Sequence, residues 1–295
     1  MNSLKQNIKR LGLKIIDWIT SNKYVYYRFC DLYDQTILSG KILIKPRNLQ
    51  GKYFLYAKSH IAARLLLSTY ENETISILNK FQKISGTIVN IGANIGLICI
   101  HIGLSFENIN NIIAFEPNKE AFDLLKLNIS INNLDKKINI VNASVGNTTG
   151  SIELFSTPEI SEYSSIGGKI IHPAVGKLNQ ISYIVDIYKL DDLDIDNISL
   201  MIIDTEGAEY LVLEGAKTTL EKNHPIILFE CEDKLLIKFG HSSLDIFKLL
   251  SSYGYYLYDI EKRKKLKISK DFNGEVLAIH PENNYNLKSI LANFG

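Results

Sequence analysis

The stretch IVNIGANIG, Ile88 to Gly96, decides the fold of this 295-residue chain. A run of branched apolar residues ends at two glycines four positions apart, with Asn90 inside the run and Asn94 between the glycines. Branched apolar residues favour a buried strand, and glycines allow a sharp turn and the close approach of a ligand. The stretch therefore predicts either a strand that leads into a ligand-binding turn or a tight turn within a buried sheet.

The composition of the chain argues against several classes of protein. The 33 Lys and Arg residues nearly balance the 32 Asp and Glu residues, so no bulk charge predicts binding to nucleic acid. Cys30, Cys99 and Cys231 are too few and too far apart for a disulfide framework or a CxxC metal site, which favours a reducing, cytoplasmic location. No apolar run reaches the roughly 18 residues that a membrane-spanning helix needs.

Residues 1–84 are predicted to form a mixed lobe of helices and strands that precedes the main domain, residues 85–295. Residues 3–20 have the pattern of a basic amphipathic helix, which either packs against its own domain or makes a peripheral contact with a membrane. After this helix, the motifs KILIK and KYFLYA predict two short strands. The segment from His60 to Phe81 is predicted to be mostly helical.

From Thr87 onward, strands and helices alternate. The predicted strands are the apolar runs TIVNI, NIIAF, INIVNA, SLMIID and PIILFE. Continuous apolar strands are typical of a parallel sheet that is covered by helices on both faces. The last two runs, GYYLYDI and EVLAIH, flank a polar turn and predict an antiparallel hairpin. We therefore expect a doubly wound α/β fold with a mostly parallel sheet and an antiparallel C-terminal hairpin.

The segment from Thr157 to Gln180 has no clear periodicity and predicts a long irregular connection. Such a connection is either disordered or part of a loop that covers a substrate, and Tyr163, His172 and Pro173 favour the covering loop. His172 is also a conceivable base, although a single histidine in a loop is more often only exposed.

A candidate ligand site follows from the residues that end the strands, because ligands bind an open parallel sheet at the carboxyl ends of its strands. Glu116 ends the second strand, 24 positions after Gly92. An acid at about this distance is placed to accept hydrogen bonds from two ribose hydroxyls, which predicts a nucleoside; the alternative is a solvated strand end. Asn94 stands where a dinucleotide fingerprint has its second glycine, so a nucleoside without phosphates fits better. S-adenosylmethionine is the prominent candidate.

Three acids follow the fourth strand within six residues: Asp204, Glu206 and Glu209. Carboxylates so close together repel one another, which raises the pKa of at least one of them and suits a general base near neutral pH. We expect Asp204 to face the methyl donor and the substrate, and Glu206 to be the base. Glu209 either takes part in catalysis or complements a helix dipole. Alternatively, Asp204, Glu206 and Glu230 hold a divalent cation such as Mg²⁺.

Four ordered motifs carry a family resemblance: IVNIGANIG, AFEPNKEAFDLLKLNISINNL, ISLMIIDTEGAEYLVLEGA and PIILFE. Together they resemble the FkbM family of S-adenosylmethionine-dependent methyltransferases over residues 70–280. The resemblance implies a class I, Rossmann-like methyltransferase fold with a seven-stranded sheet and a reversed last hairpin. It also implies O-methylation of a hydroxyl, usually of a sugar or of a natural product, so that a small molecule or a glycan is the expected acceptor.

The resemblance further implies roles for individual residues. Those that would line the methionine part of the cofactor are Gly92, Ala93, Asn94 and Gly96. Glu116 would hold the ribose. Asn142 and Ala143 would lie near the adenine. Proteins of this kind usually have an aspartate in place of Asn90, whose amide accepts a hydrogen bond from the cofactor's ammonium group but lacks the attraction of a charge.

Two other functions remain open on the sequence. One is a catalytically silent nucleoside-binding or scaffold protein of the same fold, which Asn90 motivates. The other is a nicotinamide-dependent oxidoreductase, which Asn94 disfavours because the fingerprint of those enzymes has a glycine at that place in the turn.

Overall fold

The computed structural model describes residues 15, 19, 40–57, 59–157, 164–170, 179–267 and 271–283. Apart from Ile15 and Ile19, the helix predicted over residues 3–20 lies outside the described residues, as does its membrane contact. Tyr163, His172 and Pro173 of the predicted covering loop also lie outside them. Within the described part of the chain, no helix is both long enough and apolar enough to cross a membrane.

The described elements alternate as expected. The strands are β1 (Lys41–Ile44), β2 (Tyr53–Tyr56), β3 (Thr87–Ile91), β4 (Asn111–Phe115), β5 (Ile138–Val141), β6 (Ser144–Val145), β7 (Gly150–Ser156), β8 (Ser164–Ile166), β9 (Ile181–Tyr188), β10 (Ile198–Ile203), β11 (Ile226–Glu232), β12 (Tyr256–Asp259), β13 (Lys264–Lys265) and β14 (Asn273–Ile279). The α-helices with described bounds are α1 (His60–Leu67), α2 (Asn72–Leu78), α3 (Leu97–Ser105), α4 (Lys119–Ile131), α5 (Glu209–Glu214), α6 (Lys217–Asn223), α7 (Asp233–Leu236) and α8 (Ser243–Ser252).

The main sheet has the strand order β13-β12-β14-β11-β10-β3-β4-β5. The five strands from β11 to β5 are parallel, whereas β14, β12 and β13 pair antiparallel. If the two-residue strand β13 at the edge is left aside, the sheet has seven strands and a reversed last hairpin. The expected class I methyltransferase fold, doubly wound and mostly parallel, is confirmed.

The centre of the main sheet is buried on both faces. Every residue of β3 and β10 is buried. Because side chains alternate along a strand, Ile88 and Val89 belong to two different buried clusters, one on each face of the sheet. The carboxyl ends of these strands are thereby fixed next to each other.

The N-terminal hairpin and helices pack on one of these faces. Strands β1 and β2 pair antiparallel. The two strands predicted from KILIK and KYFLYA are therefore confirmed, and so is the mostly helical segment from His60 to Phe81. Tyr53 and Leu65 belong to the same buried cluster as Ile88 of the main sheet. The division of the chain after residue 84 stays a prediction.

Asn128 on α4 and Asn132, which caps the C-terminus of this helix, hold strand β2 in place. The Asn128 amide donates to the backbone oxygens of Phe54 (3.0 Å) and Ile95 (2.9 Å) and accepts from the N–H of Phe54 (2.6 Å). One helical turn later, Asn132 accepts from the N–H of Lys52 (3.0 Å) and donates to its backbone oxygen (2.7 Å). These side chains take the place of a neighbouring strand. Asn128 also joins β2 to the turn from Gly92 to Gly96, which we call the glycine turn.

A second sheet has the order β6-β9-β7-β8, and the sequence did not predict it. Strands β7 and β9 pair antiparallel, and β8 adds to the other edge of β7. The expectation of an irregular connection from Thr157 to Gln180 is therefore wrong at Ser164–Ile166, because the unpaired edge of β7 offers backbone groups that these residues satisfy.

Candidate active site

The turn after β3 depends on close contact with the end of β10. Gly92 has a positive φ of 79°, and a Cβ at this position would lie 1.7 Å from the backbone oxygen of Asp204. Asn94, with a φ of 50°, is also in the left-handed region, which asparagine tolerates better than most residues. Gly96 forms the N-terminal cap of α3. The backbone therefore turns sharply at the point where two central strands end.

Glu116 joins this turn to the next strand. Its Oε2 accepts a hydrogen bond from the N–H of Asn94 (2.7 Å), and its Oε1 accepts one from the N–H of Asn118 (2.8 Å). Glu116 is only 4% exposed, and burial raises its pKa to about 7 although both N–H groups act to lower it. An ionised carboxylate has about four acceptor sites, so Glu116 can hold the turn and still accept hydrogen bonds from a ligand. Asn142 donates to the backbone oxygen of Glu116 (2.7 Å).

Two cavities meet at Gly92, Asn94 and Asp204. The first, which we call the Glu116 cavity, has about 590 Å³ of open space, and its lining includes Gly92, Asn94, Glu116, Ala143, Asp204 and Glu206. The second, which we call the Glu230 cavity, has about 490 Å³, and its lining includes Tyr70, Glu71, Asn90, Asp204, Glu230 and Glu275. The structure thus brings most of the predicted site residues together at the strand ends.

Three predicted site residues line neither of these two cavities: Gly96, Asn142 and Glu209. Gly96 has a packing role, because a Cβ there would lie 2.6 Å from Cδ1 of Leu125 on α4. Asn142 supports the backbone after β4 through its hydrogen bond to Glu116. Ala93 does line the Glu230 cavity. The cofactor contacts expected of these residues stay predictions.

The polar residues of the Glu230 cavity share one face of the main sheet. Each of these polar residues lies two positions along the chain from a residue of one buried cluster. The polar residues are Asn90, Asp204, Glu230 and Glu275. Those cluster residues are Ile88, Ile202, Leu228 and Leu277. Glu230 and Glu275 are also directly paired across β11 and β14. Strand alternation therefore places all four polar side chains on the side of the sheet that faces the cavity.

Burial and mutual repulsion raise the pKa values of the acids around this cavity. The pKa of Glu230 rises to about 9 through burial and then through Glu275, and the pKa of Glu275 rises to about 8 through burial and then through Glu71. Asp204 is accessible to solvent from the cavities. Desolvation by the surrounding protein is nevertheless the largest effect that raises its pKa well above the usual range, and repulsion by Glu230 and Glu206 raises it further. The carboxyl groups of Glu230 and Glu275 are therefore mostly protonated near neutral pH.

Glu206 and Glu209 have different surroundings. Glu206 is half-buried, and its pKa rises to about 7 through burial and the nearby Glu209, while Lys238 acts to lower it. Glu209 is 1% exposed, and its Oε1 accepts hydrogen bonds from the N–H and hydroxyl of Thr205 (both 2.9 Å) and from the N–H of Gly207 (3.2 Å). Burial still raises the pKa of Glu209. Its carboxyl group closes the loop from Asp204 to Glu209, which we call the acidic loop. A part for Glu209 in catalysis stays a prediction.

A compact metal-ligand group occurs elsewhere in the described part of the chain. There, His224, His280 and Glu282 place three ligand atoms within 4.8 Å of one another. The oxygens of Asp204, Glu206 and Glu230 do not form such a group in the described structure. Oxygen ligands of Mg²⁺ lie only about 2.0–2.1 Å from the ion, so they must also lie close to one another. A divalent cation at these three acids stays a prediction.

Three residues of the site were not predicted from the sequence: Tyr70, Glu71 and Glu275. Glu275 lies directly before the apolar residues of its strand and gave only a weak signal. Tyr70 and Glu71 lie between α1 and α2 in a polar stretch, where nothing in the sequence distinguishes them from their neighbours. Their place in the site follows from the packing of the N-terminal helices on the main sheet.

Several known proteins are similar to this chain. The methyltransferase sdnD of Sordaria araneosa is 26% identical over 154 residues, which cover 43% of this chain and 59% of that protein, so the chain spans less than two thirds of this curated relative. The crystal structure of methyltransferase FkbM from Methylobacillus flagellatus KT has a TM-score of 0.43 and 13% identity, with 86% of this chain and 58% of that chain covered. A SAM-dependent O-methyltransferase from Thermotoga maritima has a TM-score of 0.40 and 10% identity, with 72% and 65% covered.

The family comparison covers the centre of the chain. The sequence model of the methyltransferase FkbM domain matches residues 90–257, a span that runs from Asn90 in β3 to Leu257 in β12. It includes the glycine turn, Glu116 and the acidic loop. Because this match covers more than half of the 295 residues, the chain belongs to the FkbM methyltransferase family.

Proposed function

We propose that the protein is an S-adenosylmethionine-dependent O-methyltransferase whose acceptor is a hydroxyl group of a sugar or a glycan precursor. The observation that carries the proposal is the junction at Asp204 between the two cavities. One cavity carries Glu116 and the glycine turn, which suit a nucleoside, and the other is lined with acids. Membership of a methyltransferase family supports the transfer of a methyl group between ligands that meet at this junction.

The residues of the site fit S-adenosylmethionine. Glu116 would accept hydrogen bonds from the ribose hydroxyls, and Ala143 would contact the adenine. Asn90 is 2% exposed, and its Oδ1 has no hydrogen-bond partner in the described structure. A buried acceptor without a partner costs about 1–3 kcal/mol, so a donor such as the cofactor's ammonium group would relieve that cost.

The acids of the site fit the removal of a proton from a hydroxyl group. When bound, S-adenosylmethionine would supply an electrophilic methyl group on a positively charged sulfur, which would leave as a neutral thioether. The carboxylate of Glu206 takes the proton of the hydroxyl, and its pKa of about 7 suits this exchange at neutral pH. Asp204 orients the hydroxyl at the junction of the cavities.

The proposal is tested first by calorimetry with S-adenosylmethionine and S-adenosylhomocysteine, and then by incubating the protein with labelled cofactor and host extract. We expect binding of both compounds and a labelled product whose new methyl group is on oxygen. Absence of binding would overturn the proposal, and binding of a nicotinamide dinucleotide instead would indicate an oxidoreductase. Binding without turnover on a broad glycan panel would indicate a silent nucleoside-binding protein.

A further inference from the structure

Two histidines and a glutamate meet at the amino end of the parallel strands, away from the candidate active site. Strands β11 and β14 are antiparallel neighbours, so the start of β11 lies beside the end of β14. His224 precedes β11 by two positions, and His280 directly follows β14. The chain then turns, because the N–H of Asn283 donates to the backbone oxygen of His280 (3.0 Å). Glu282 lies in this turn and completes the group.

The three side chains are close enough to share one metal ion. Their ligand atoms all lie within 4.8 Å of one another, and Nδ1 of His224 is 3.5 Å from Oε2 of Glu282. A tetrahedral zinc ion binds nitrogen and oxygen at about 2.0–2.2 Å, which places neighbouring ligand atoms roughly 3.4 Å apart. One pair therefore already has the required spacing, and the ligand atom of His280 exceeds it by roughly 1.4 Å at most.

His280 is held in an orientation that suits a ligand. Its Nδ1 accepts a hydrogen bond of 3.2 Å from the N–H of Glu282, so this bond assigns the ring proton to Nε2. The ring also forms a hydrogen bond with the backbone of Tyr253. A histidine that donates one ring N–H to a backbone oxygen and leaves the other nitrogen for the metal is the usual arrangement at metal sites.

The surrounding residues fix the plane of the His280 ring. A Cβ at Gly254 would lie 2.8 Å from Nε2 of His280, so only glycine allows this close approach. Tyr255 packs edge-on against the ring with the centroids 5.4 Å apart, and His280 is only 8% exposed. His280 is therefore the fixed member of the group.

His224 is the member that can adjust. Its ring stacks on that of His280, with the centroids 3.8 Å apart and the planes 8° from parallel. The lone pair of an imidazole nitrogen lies in the ring plane, so the His224 ring has to turn before the two histidines can share an ion. Its side chain is partly exposed, which leaves room to turn. Its backbone is fixed, because the backbone oxygen accepts from Nδ2 of Asn283 (2.9 Å).

We propose that His224, His280 and Glu282 bind one Zn²⁺ ion, with water in the fourth position. Two imidazole nitrogens and a carboxylate suit zinc, whereas Mg²⁺ and Ca²⁺ prefer ligand sets made of oxygen. The ion ties the start of β11 to the turn that follows β14. Ile226 and Glu230 of β11 are already roughly 13 Å apart at about 3.3 Å per residue, so the ion stabilises the fold and takes no part in methyl transfer.

The experiment is calorimetry with zinc chloride at pH 7 on the full chain, without a histidine tag and after treatment with a chelator. We expect one Zn²⁺ per chain with a Kd of about 1 μM or lower. At a zinc concentration about 100-fold above this Kd, the melting temperature should rise by about 5 °C, whereas Mg²⁺ should not change it. Absence of zinc binding, or binding only above about 100 μM, would overturn the inference.

Variants locate the ion. Glu282→Gln changes a side chain that is 73% exposed, and His224→Asn keeps a residue that tolerates the positive φ of 44° at this position. Each should weaken zinc binding at least tenfold and remove the rise in melting temperature. The matched controls are Glu221→Gln and His241→Asn, which lie outside the group and should bind zinc like the wild type.

Unchanged zinc binding in either His224→Asn or Glu282→Gln would overturn the inference, because the ion would then bind elsewhere. Both variants should bind S-adenosylhomocysteine like the wild type, since neither residue lines the Glu116 cavity or the Glu230 cavity. Failure of the zinc site is therefore separate from failure of the proposed function, which is absence of cofactor binding.

Discussion

The carboxylate of Glu116 accepts a hydrogen bond of 2.7 Å from the backbone N–H of Asn94, so the end of β4 holds the turn that follows β3. The two residues are 22 positions apart, and the bond is part-buried. The residue that we propose to bind the ribose therefore also fixes the turn after β3.

Replacement of Glu116 by alanine should weaken cofactor binding. The substitution removes an ionisable acceptor whose hydrogen bonds are each worth about 1.5–3 kcal/mol, which corresponds to a rise in Kd of about 10- to 100-fold for S-adenosylhomocysteine. Calorimetry measures this change, and Glu107→Ala, an exposed acid after α3, is the control. An unchanged Kd in Glu116→Ala would contradict the assigned role.

Replacement of Glu206 by glutamine should affect turnover and not cofactor binding. A general base contributes roughly 10²- to 10⁴-fold to the rate, so we expect kcat to fall by that order with the acceptor identified from host extract. In the wild type, kcat should rise with pH through about 7, where Glu206 loses its proton, and this rise should vanish in the variant. Glu221→Gln, an exposed acid on α6, is the control. Equal losses of cofactor binding in Glu206→Gln and Glu116→Ala would refute the separate roles.

Replacement of Gly92 by alanine should destabilise the fold more than the same change at Gly240. Both glycines have a φ near 80°, at 79° and 77°, so both variants acquire backbone strain of about 1 kcal/mol. Only at Gly92 would the new Cβ also meet the backbone oxygen of Asp204, whereas nothing lies within 4 Å of a Cβ at Gly240. Urea unfolding should show an additional loss of about 2 kcal/mol or more for Gly92→Ala. Equal losses would indicate that the contact between β3 and β10 is not tight in solution.

The sequence predicted the main sheet because its central strands carry their signal locally. TIVNI and SLMIID are apolar at nearly every position, which indicates burial on both faces of the sheet. Gly92, directly after TIVNI, indicates the turn that ends this strand. The partners of Glu230 were not predictable in this way. Glu275 reaches it through a strand pairing 45 positions along the chain, and Glu71 reaches the cavity through packing of a helical segment. Such contacts depend on register and on tertiary packing, which local patterns do not specify.

Replacement of Asn128 by alanine should loosen strand β2 and the glycine turn together. The amide makes three hydrogen bonds, to the N–H and oxygen of Phe54 and to the oxygen of Ile95, and its removal leaves buried backbone groups without partners. We expect a loss of about 2–4 kcal/mol in the free energy of unfolding, with faster amide exchange at Tyr53–Tyr56. Lys126→Ala, an exposed position on the same helix, is the control and should change neither quantity. Unchanged amide exchange in Asn128→Ala would show that β2 does not depend on this side chain.

The acids of the Glu230 cavity should make the folded state less stable as pH rises. The pKa values of Glu230 and Glu275 rise from the ordinary 4.5 to about 9 and about 8, so the folded state binds more protons than the unfolded state between about pH 4.5 and pH 9. Stability is therefore greatest below pH 4.5 as far as these groups decide it, and it falls as pH rises through the folded pKa values. Glu230→Gln and Glu275→Gln cannot ionise, so each should be as stable as the wild type near pH 5 and more stable near pH 9. Urea unfolding at pH 5, 7 and 9 measures this difference, with Glu73→Gln, at an exposed acid that does not line the cavity, expected to follow the wild type. If the wild type and both cavity variants show the same dependence on pH, repulsion within the cavity does not oppose folding.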